Sequence, residues 1–567
     1  MELFSTHPQG RIFYTTNGNR PTVQSQQYTE PLVLDERMYS ESDIYTIVNT
    51  VPSQFYLPDS IQHCIVVRAA VFDDRDSCIS PVTTQSYFIH ALGCDTHGLP
   101  AVSICADSLD LFDYMRGIFV PGVYFDTLNP YWSGNYYLSG REWERPMNIE
   151  FYEIDNTGIN QQAGVRTHGG NGRRFQQKSI KIYAREEYGK KRFKHKFFET
   201  IPQDSFKHLV LKPFMASWNQ SGVNDHICSQ IAYQLNLETL ATRPVLLYLN
   251  GEYWGIYYIH ERPDERYLED HLGIDINHVN IMSNWVELAD YGTAENFINL
   301  YQWLETADLT QPDDYAYFAS RVDIDNFIDY QIFEIFIENC DWPANNMRCW
   351  QLGDGLWRWI FYDGDGCLLW MTLYTIENAV YEGENTWPSS ARATLFLRKL
   401  LENDAFKTRF EDRFDELVNT AFSYDVTSPI FENIKMRIEP EIPQQSERFG
   451  FPQNMETWVS DMDLVDYFLR TRPRYIVEPL HDLIVRVPEN HKETFTVYPN
   501  PSSEEIHFKW QPKEEKMVEI AIFDILGRKV FSKTVADNVG ETTLNPILQA
   551  GVYLLKIGSH TEKIIRY

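Results

Sequence analysis

Basic residues, cysteines and long apolar runs are all scarce in this sequence. Its 50 Lys and Arg residues face 80 Asp and Glu residues, so the formal net charge is −30. A chain with this excess of negative charge is not expected to attract nucleic acid or an anionic membrane over its whole surface. No run of about 18 apolar residues occurs, so the sequence predicts no transmembrane segment.

The chain has 8 cysteines in 567 residues, too few for a disulfide scaffold and without the short paired spacings of a zinc site. Four of them lie between 64 and 105, so the sequence leaves undecided whether one or two disulfides form near the N-terminus. The first twenty residues contain no apolar signal core, so either the protein is cytosolic or its leader is missing. What remains is a globular composition, with 43% hydrophobic and 23% charged residues, in a chain long enough for roughly three or four domains.

Residues 1–92 predict short antiparallel strands separated by turns. The segment GRIFYTTNGNRPT carries turn signals, and IVVRAAVF shows strand alternation. A small β-sandwich is therefore expected. The residue pattern of these segments resembles the fibronectin type III-like module found at the end of chitobiases and beside many secreted enzymes. This resemblance implies a spacer, with binding of a surface glycan as the less favoured role.

Residues 490–567 predict a second all-strand unit. The segments YPNPS, FDILGRKV, AGVYLLKI and KIIRY resemble the C-terminal sorting domain of Bacteroidota proteins exported by the type IX (Por) secretion system. The resemblance implies an Ig-like β-sandwich, a partnership with the type IX machinery, and a protein that is secreted or attached to the outer surface. Its signal peptide is absent from this numbering. An ordinary Ig-like appendage is the alternative.

Residues 97–485 mix predicted strands and helices, so we expect an α+β central domain flanked by two small all-β sandwich domains. Strands are predicted at PMNIEFYEI, KSIKIYA, RPVLLYLN and WRWIFYD, and a helix at VDIDNFIDYQIFEIFIENC. Seven apolar residues recur at roughly helical spacing and predict a buried face. These residues are Leu395, Leu397, Leu400, Leu401, Phe406, Phe410 and Phe414. The chemistry is expected in this central domain.

A basic island interrupts the acidic chain between Gln161 and Met215, with thirteen Lys or Arg and four Asp or Glu. Its core is GVRTHGGNGRRFQQKSIKIYAR, whose glycines allow the backbone to approach a ligand and whose Arg166, Arg173 and Arg174 are candidate nucleotide ligands. A glycine-rich turn that feeds a strand with a lysine is how kinases hold nucleotide phosphates. A plain hairpin loop is the alternative.

Two lysines follow the glycine-rich turn. Lys178 and Lys181 differ by three positions, so their side chains point to opposite faces of a strand. Both are candidate nucleotide ligands, but only one can face a pocket, and we favour Lys178. The strand GIYYIHE delivers Glu261, which would orient such a lysine by ion pairing. A salt bridge of Glu261 with Arg262 or Arg266 is the alternative.

An acidic segment supplies the complementary chemistry. The helix through Phe336 should end before Pro343, which leaves Asp341 and two asparagines on a loop. The strand WRWIFY then delivers Asp363 and Asp365. Phosphoryl transfer uses a carboxylate that accepts a hydroxyl proton, together with amide and carboxylate oxygens that hold magnesium. Turn and capping roles are the alternatives for each residue alone.

Five ordered blocks between about Leu99 and Phe422 resemble the CotH kinase family, the spore coat protein H-like group. They are AGVRTHGGNGRRFQQKSIKIYAREEYGK, RPVLLYLNGEYWGIYYIHERPDERYL, NCDWPANNMRCW, WRWIFYDGDG and LLENDAFKTRFEDRFDELVNTAF. Characterised members are atypical secreted protein kinases that transfer the γ-phosphoryl group of ATP to Ser or Thr. The resemblance implies an atypical kinase-like fold, with ATP and Mg²⁺ or Mn²⁺ as cofactors. The roles that it implies are Asp341 as base, Lys178 with Glu261 for the nucleotide phosphates, and Asn345 or Asn346 with Asp363 and Asp365 for the metal.

We therefore expect a secreted phosphotransferase that acts on Ser or Thr of an extracytoplasmic protein, provided that the basic strand and the acidic loop face each other across one cleft. A non-catalytic cell-surface or glycan-associated protein on a degenerate kinase-like domain is the alternative, because extracellular ATP is scarce and the 14 Trp and 34 Tyr could stack on sugars. A carboxylate-dependent hydrolase is less favoured, because no acid pair has a context that singles it out.

Overall fold

The structure is a computed structural model with two compact units, Met1–Val485 and Arg486–Tyr567. It describes residues 1–566 except 36–42, 53–54, 90–97, 236, 285–287, 385–386, 487–494, 499–504, 511–516, 525–527, 537–540, 549–550 and 558–559. Cys94, one of the four cysteines between 64 and 105 whose disulfide pairing the sequence left undecided, lies outside the described residues. Among those described, no helix combines the length and the apolar character that crossing a bilayer requires.

The N-terminal region contains a four-stranded antiparallel sheet in the order β2-β1-β3-β4. Its strands are β1 (Arg11–Thr15), β2 (Gln26–Gln27), β3 (Ile65–Phe72) and β4 (Thr83–Tyr87). Phe13, Ala70 and Phe72 form its small core. One sheet is thus described here, and the sandwich stays a prediction.

Buried polar contacts join this N-terminal region to the central domain. The carboxylate of Glu252 accepts the backbone N–H groups of Ile44 at 2.7 Å and Tyr45 at 2.9 Å. The Ser86 hydroxyl donates to Glu150 at 2.5 Å. Because both carboxylates are fully buried, each needs these donors. The N-terminal region is therefore part of the same compact unit as the central domain.

A seven-stranded closed barrel, in the order β11-β14-β13-β5-β6-β7-β8, is the centre of the first unit. The strands of the central domain are β5 (Ala101–Cys105), β6 (Arg145–Tyr152), β7 (Gly158–Thr167), β8 (Ile180–Tyr183), β9 (Phe193–Lys194), β10 (Ser205–Phe206), β11 (His208–Pro213), β12 (Glu238–Thr239), β13 (Thr242–Leu249), β14 (Glu252–His260), β15 (Val279–Ser283), β16 (Arg348–Leu352) and β17 (Arg358–Phe361). The predicted strands are thus confirmed. Asn250 and Gly251 form the two-residue turn between β13 and β14, with φ values of 51° and 91° that suit such a hairpin.

The barrel interior is filled by aliphatic side chains from alternate strand positions. Ile180 and Ile182 of β8 and Leu209 and Leu211 of β11 belong to this core. Because side chains alternate along a strand, Lys181 points out of the barrel. The outer face of β8 and β11 is therefore available for polar side chains.

A second sheet, in the order β12-β17-β16-β15, packs against a helix layer. The helices of the chain are α1 (Ser108–Phe112), α2 (Asn224–Gln234), α3 (Glu265–Leu272), α4 (Glu295–Leu304), α5 (Pro312–Ala319), α6 (Ile324–Phe336), α7 (Tyr374–Ala379), α8 (Ala391–Leu400), α9 (Asp404–Asn419), α10 (Tyr424–Ile438), α11 (Ile442–Phe449), α12 (Met455–Tyr475) and α13 (Val477–Arg486). The Asp323 side chain caps α6 by accepting the N–H of Asn326 at 3.1 Å. This helix ends at Phe336, before Pro343 as predicted but four residues short of the end of the predicted helical segment at Cys340.

The apolar face predicted between Leu395 and Phe414 is confirmed. All seven of its residues are buried. The segment predicted as one helix is divided in two, with Leu401 as the C-cap of α8. The second helix, α9, is capped by Asn403, which accepts the N–H of Phe406 at 2.9 Å. The first unit is therefore a mixed α/β domain, with its helices packed on the second sheet.

The second unit is all strand in its described residues. Its strands are β18 (Phe495–Tyr498), β19 (Ile506–Trp510), β20 (Met517–Asp524), β21 (Lys529–Ala536), β22 (Glu541–Leu544), β23 (Gly551–Ile557) and β24 (His560–Arg566). They form a three-stranded sheet, β18-β19-β22, and a four-stranded sheet, β21-β20-β23-β24. Ile506, Ile520, Leu544 and Leu555 from both sheets share one apolar core.

Candidate active site

A lysine and three carboxylates meet between the barrel and the second sheet. Lys212 lies on β11, and its Nζ is 2.9 Å from Asp225 Oδ2, 2.8 Å from Asp363 Oδ1 and 3.0 Å from Asp365 Oδ2. Asp225 is in the first turn of α2, and the other two acids follow the end of β17. We call these four residues the acidic cluster.

The charges of the acidic cluster are strongly coupled. Burial opposes the charge on Lys212, but the surrounding carboxylates raise the pKa of Lys212 well above its ordinary value. Burial raises the pKa of Asp365 well above its usual range, and the neighbouring acids add to this despite Lys212. Burial also acts on Asp225, but there Lys212 prevails and the pKa is lowered. Three acids around one lysine leave an excess of negative charge that favours a further cation.

The loop that carries Asp341 lies beside the acidic cluster. Asp341 Oδ2 accepts N–H groups from Asn345 Nδ2 at 2.9 Å and Asn346 Nδ2 at 3.1 Å. Asn346 Nδ2 also donates to the carbonyl oxygen of Asp363 at 3.3 Å. Asn346 and Asp363 have positive φ values of 53° and 67°, which non-glycine residues adopt mainly where the surroundings enforce them. The structure thus brings the predicted base, the asparagines and the strand-end acids together.

Further hydrogen bonds hold the Asp341 carboxyl group and its loop. The Trp387 indole N–H donates to Asp341 Oδ1. The Asp341 backbone N–H donates to Asn339 Oδ1 at 3.1 Å, and Asn339 Nδ2 donates to Glu334 Oε2 at 2.8 Å. Burial raises the pKa of Asp341, Asp363 adds to this rise, and the three side-chain N–H donors oppose it. Asp341 is therefore oriented from several sides.

The buried Glu334 should make folding stability pH-dependent. Burial raises the pKa of Glu334 from 4.5 to about 8. Between these values the unfolded chain loses the Glu334 proton while the folded chain keeps it, so this residue lowers stability as pH rises, and its effect levels off above about pH 8. Glu334→Gln has no such titration. Urea unfolding at pH 5 and pH 8 should therefore show the variant gaining stability relative to wild type at the higher pH, and an equal difference at both would contradict this prediction.

Lys181 lies on the barrel face that carries Lys212. In the strand register, Lys181 lies opposite Arg166 of β7 and opposite Val210 of β11. Lys212 is two residues further along β11. Directly paired residues share a face of a sheet, as do residues two apart on one strand. Lys181 is 2% exposed and has an ion pair with Asp264 at 3.8 Å. Lys181 and Arg166 therefore share the outer barrel face with Lys212, beside the acidic cluster, where the sequence interpretation favoured Lys178.

Further polar and titratable groups lie around Lys181. His208 Nε2 is 2.8 Å from Asp264 Oδ2, and Arg262 Nη1 is 3.3 Å from the same oxygen. Burial lowers the pKa of Lys181 to about 7, and Arg262 acts in the same direction. Burial lowers the pKa of His168 well below its ordinary value, and Arg262 and Lys181 add to this. A bound anion would offset this repulsion.

Lys178 contacts no member of the acidic cluster among the described residues. Its Nζ donates to the carbonyl oxygens of Thr50 and Arg173 at 2.9 Å and of Phe175 at 2.8 Å. These three acceptors match the three N–H donors of a lysine, and the side chain is fully buried. The structure therefore does not support the preference for Lys178 over Lys181. Lys178 binds the backbone of the glycine-rich turn and of the N-terminal region instead.

Glu261 likewise has partners other than Lys178. Its Oε1 is 2.7 Å from His271 Nε2, and its Oε2 accepts the backbone N–H of Ala241 at 3.0 Å. Glu261 therefore supports the end of β14 and the following helix α3. Within the described part of the chain, neither the predicted pairing with the phosphate-binding lysine nor the alternative salt bridge with Arg262 or Arg266 is found.

The two arginines of the glycine-rich turn bind neighbouring groups. Arg173 Nη1 donates to the Tyr137 carbonyl oxygen at 2.9 Å, and the Arg174 guanidinium lies 4.5 Å from the Tyr131 ring centroid. Gly169 has a φ of 90°, and no described atom lies within 4 Å of the position a Cβ would take. The turn therefore presents an open backbone, while its arginines are held against aromatic residues.

Sequence reasoning missed Lys212, the role of Asp225, and Trp387. Lys212 stands alone in the apolar segment HLVLKPF, and an isolated charge in a buried strand is a signal that it has a partner. Asp225 begins a helix, where an acid is ordinarily explained by the helix dipole. Trp387 carries no chemical signal in the sequence. Only the fold brings these residues to Asp341 and Asp363.

Comparisons with known proteins find matches to three stretches of the chain. The family model described as CotH kinase protein matches residues 165–476, more than half of the chain. Residues 1–87 match the model described as Fn3 associated, and residues 496–567 match that described as secretion system C-terminal sorting domain. No curated protein matches the chain. Among solved structures, the chain is similar to the crystal structure of a Helicobacter pylori proinflammatory kinase, CtkA, with 10% identity, coverage of 50% of this chain and 92% of that chain, and a TM-score of 0.24.

Proposed function

Because the chain belongs to the CotH kinase family, we propose that it is an active phosphotransferase. It uses ATP and a divalent metal ion, Mg²⁺ or Mn²⁺, and transfers phosphate to Ser or Thr of an extracytoplasmic protein. The observation that carries this proposal is the contact of Lys212 with one helix acid and two strand-end acids beside the Asp341 loop.

This arrangement supplies the parts that phosphoryl transfer needs. In protein kinases a strand lysine pairs with a helix acid, and the catalytic loop has an Asp five residues before an Asn. Here Lys212 pairs with Asp225 of α2, and Asp341 precedes Asn346 by five residues. The Asn345 amide oxygen already accepts an N–H from Asn284 at 3.0 Å, so Asn346 is the better metal ligand of the two.

Two acids of the acidic cluster, together with Asn346, fit a hard divalent cation in their donor type. Asp363, Asp365 and Asn346 offer carboxylate and amide oxygens, which Mg²⁺ and Mn²⁺ prefer. Asp363 is 38% exposed, so an ion can reach it from solvent. Within the described residues no three His, Cys, Asp or Glu side chains form a ready metal site, which is consistent with Lys212 lying between the carboxylates. When bound, the metal would neutralise charge on the transferred phosphoryl group.

The protein's own residues carry the other roles. Lys212 and Lys181 share the barrel face that would receive the nucleotide phosphates, with Arg166 next to Lys181. Asp341 accepts the proton of the acceptor hydroxyl and is held in place by its three side-chain N–H donors. Binding and orientation thus come from the barrel, and proton transfer from the loop after α6.

The C-terminal sorting domain indicates that the protein is secreted or attached to the outer surface, with export by type IX secretion. A phosphoacceptor outside the cytoplasm follows from this location. The Fn3-associated region is bonded to the barrel, so it is carried with the central domain wherever that domain acts.

A non-catalytic surface protein is the second candidate function. The observation in its favour is that Lys212 already pairs with all three acids of the acidic cluster. A site whose lysine never releases these carboxylates would bind neither metal nor nucleotide. Exposed aromatic residues such as Tyr124, Tyr131 and Trp132 would then offer stacking surfaces to a glycan.

Calorimetric titration of the full chain with ATP and Mn²⁺ separates these two candidates. We expect wild type to bind the metal–nucleotide pair and Asp363→Asn to bind it about tenfold more weakly, because one charged metal ligand is lost, which corresponds to ~1.4 kcal/mol. Asp74→Asn removes an exposed acid of the N-terminal region and should bind as wild type does. Absence of binding by wild type would contradict the phosphotransferase and favour the second candidate.

A further inference from the structure

Trp387 is an exposed tryptophan whose polar atom points into the candidate site. Its side chain is 57% exposed, yet its indole N–H donates to Asp341 Oδ1. The next residue, Pro388, accepts the backbone N–H of Ala344 at 2.8 Å, which attaches the Trp387 segment to the Asp341 loop. The indole therefore reaches the predicted base from a segment far along the chain.

The stacking partner of Trp387 is also at the surface. Trp218 is 48% exposed, and the two ring centroids are 6.0 Å apart with an interplanar angle of 27°. Two half-exposed rings remove little apolar area from water, so this pair contributes less to folding than a buried pair would. A purely structural role therefore explains the position of Trp387 poorly.

The Trp387 indole occupies one of the hydrogen-bond acceptor sites of the Asp341 carboxylate. An ionised carboxylate offers about four lone-pair sites. Asn345 and Asn346 occupy both sites on Oδ2, and Trp387 occupies one on Oδ1. With the donors of the described residues counted, one site on Oδ1 remains for an incoming hydroxyl group. The donor set therefore restricts how an acceptor hydroxyl can approach the base.

We propose that Trp387 is a positioning residue for phosphate transfer, which holds Asp341 so that a single Oδ1 lone pair is left to receive the acceptor hydroxyl. This inference rests on the proposed function. A base is effective only when the proton to be removed lies within hydrogen-bond reach in a productive orientation. Among the described residues, Trp387 has Asp341 as its hydrogen-bond partner and Trp218 as its stacking partner, and neither lies on the barrel face that carries Lys181.

The test compares Trp387→Phe with Trp218→Phe in the full chain. Trp387→Phe keeps a stacking ring but removes the N–H donor, so kcat should fall about tenfold while KM for ATP stays within about twofold. Trp218→Phe keeps the Trp387 donor, so its kcat should stay within about twofold of wild type. Equal losses in both variants would overturn the proposal, because they would indicate packing, and so would an unchanged kcat in Trp387→Phe.

A spectroscopic measurement tests the contact without activity. In protein labelled with 5-fluorotryptophan, the Trp387 fluorine resonance is assigned by its loss in Trp387→Phe. It should shift in Asp341→Ala and stay in place in the control Asp74→Asn. If the chemical shift of this resonance did not change in Asp341→Ala, the positioning role would be overturned, while the proposed phosphotransferase function would not be affected. A wild-type chain without transfer activity would instead overturn the proposed function, and the positioning role with it.

Discussion

Lys212→Met is expected to reduce phosphate transfer from ATP by about 10²–10³-fold. The substitution keeps an unbranched side chain of similar length but removes the only cation that contacts Asp225, Asp363 and Asp365 together in the described structure. The nucleotide phosphates would then approach three acids with no counter-charge between them. Initial rates with labelled ATP, measured against wild type, check this expectation.

The same variant should also be less stable. Lys212 is 13% exposed, so its removal leaves partly buried carboxylates that repel one another. We expect a lower urea midpoint for Lys212→Met and a partial recovery in the double variant with Asp225→Asn, because the pKa of Asp225 is lowered and this substitution removes one of the repelling charges. Lys194→Met, at an exposed position of the same basic island, is the matched control. Wild-type rates in Lys212→Met would contradict the role assigned to the acidic cluster.

Local pattern was enough to predict the acidic half of the site. Asp341 follows a helix that must end before Pro343, and Asp363 follows a short apolar strand, so both positions depend on neighbours in sequence. Adjacent elements that pack together bring such loops close to each other. The sequence could therefore predict that Asp341, Asn346 and Asp363 meet, and the hydrogen bonds of Asn346 join them.

The basic half could not be predicted to the same depth. Alternation places Lys178 and Lys181 on opposite faces, but it does not say which face is inside the barrel. That depends on closure of seven strands, which pairs β8 with β11 and brings Lys181 next to Lys212. The contact of Lys212 with Asp363 spans 151 positions, and no local signal reports such a distance.

The attachment of the N-terminal region was hidden for a related reason. Residues 1–92 have their own strand pattern and turn signals, which are typical of an independent module. The bonds of Glu252 and Lys178 to backbone groups at 44–50 join this region to the barrel, and both side chains lie far away in sequence. A boundary predicted from pattern therefore marks a change of motif, whereas the compact unit continues through it to Val485.

Asp341→Asn is expected to lower kcat by about 10²–10⁴-fold, the range that a positioned general base contributes. Asparagine has nearly the same shape, and its amide oxygen can still accept the Trp387 N–H or an N–H of Asn346, so the loop should keep its fold. The amide cannot take a proton from the acceptor hydroxyl. The loss should therefore appear in the chemical step, in single-turnover transfer from labelled ATP.

Nucleotide binding separates this role from a structural one. The side chains assigned to the phosphates, Lys181 and Lys212, lie on the barrel, so the affinity of Asp341→Asn for ATP with Mn²⁺ should stay within about threefold of wild type. Asp404→Asn, at a position where the acid is 99% exposed, provides the matched control and should change neither binding nor rate. If Asp341→Asn lost affinity as severely as rate, Asp341 would be a support of the nucleotide site. If it lost neither, the proton would have to be taken by another group, and the chemistry would not be at this loop.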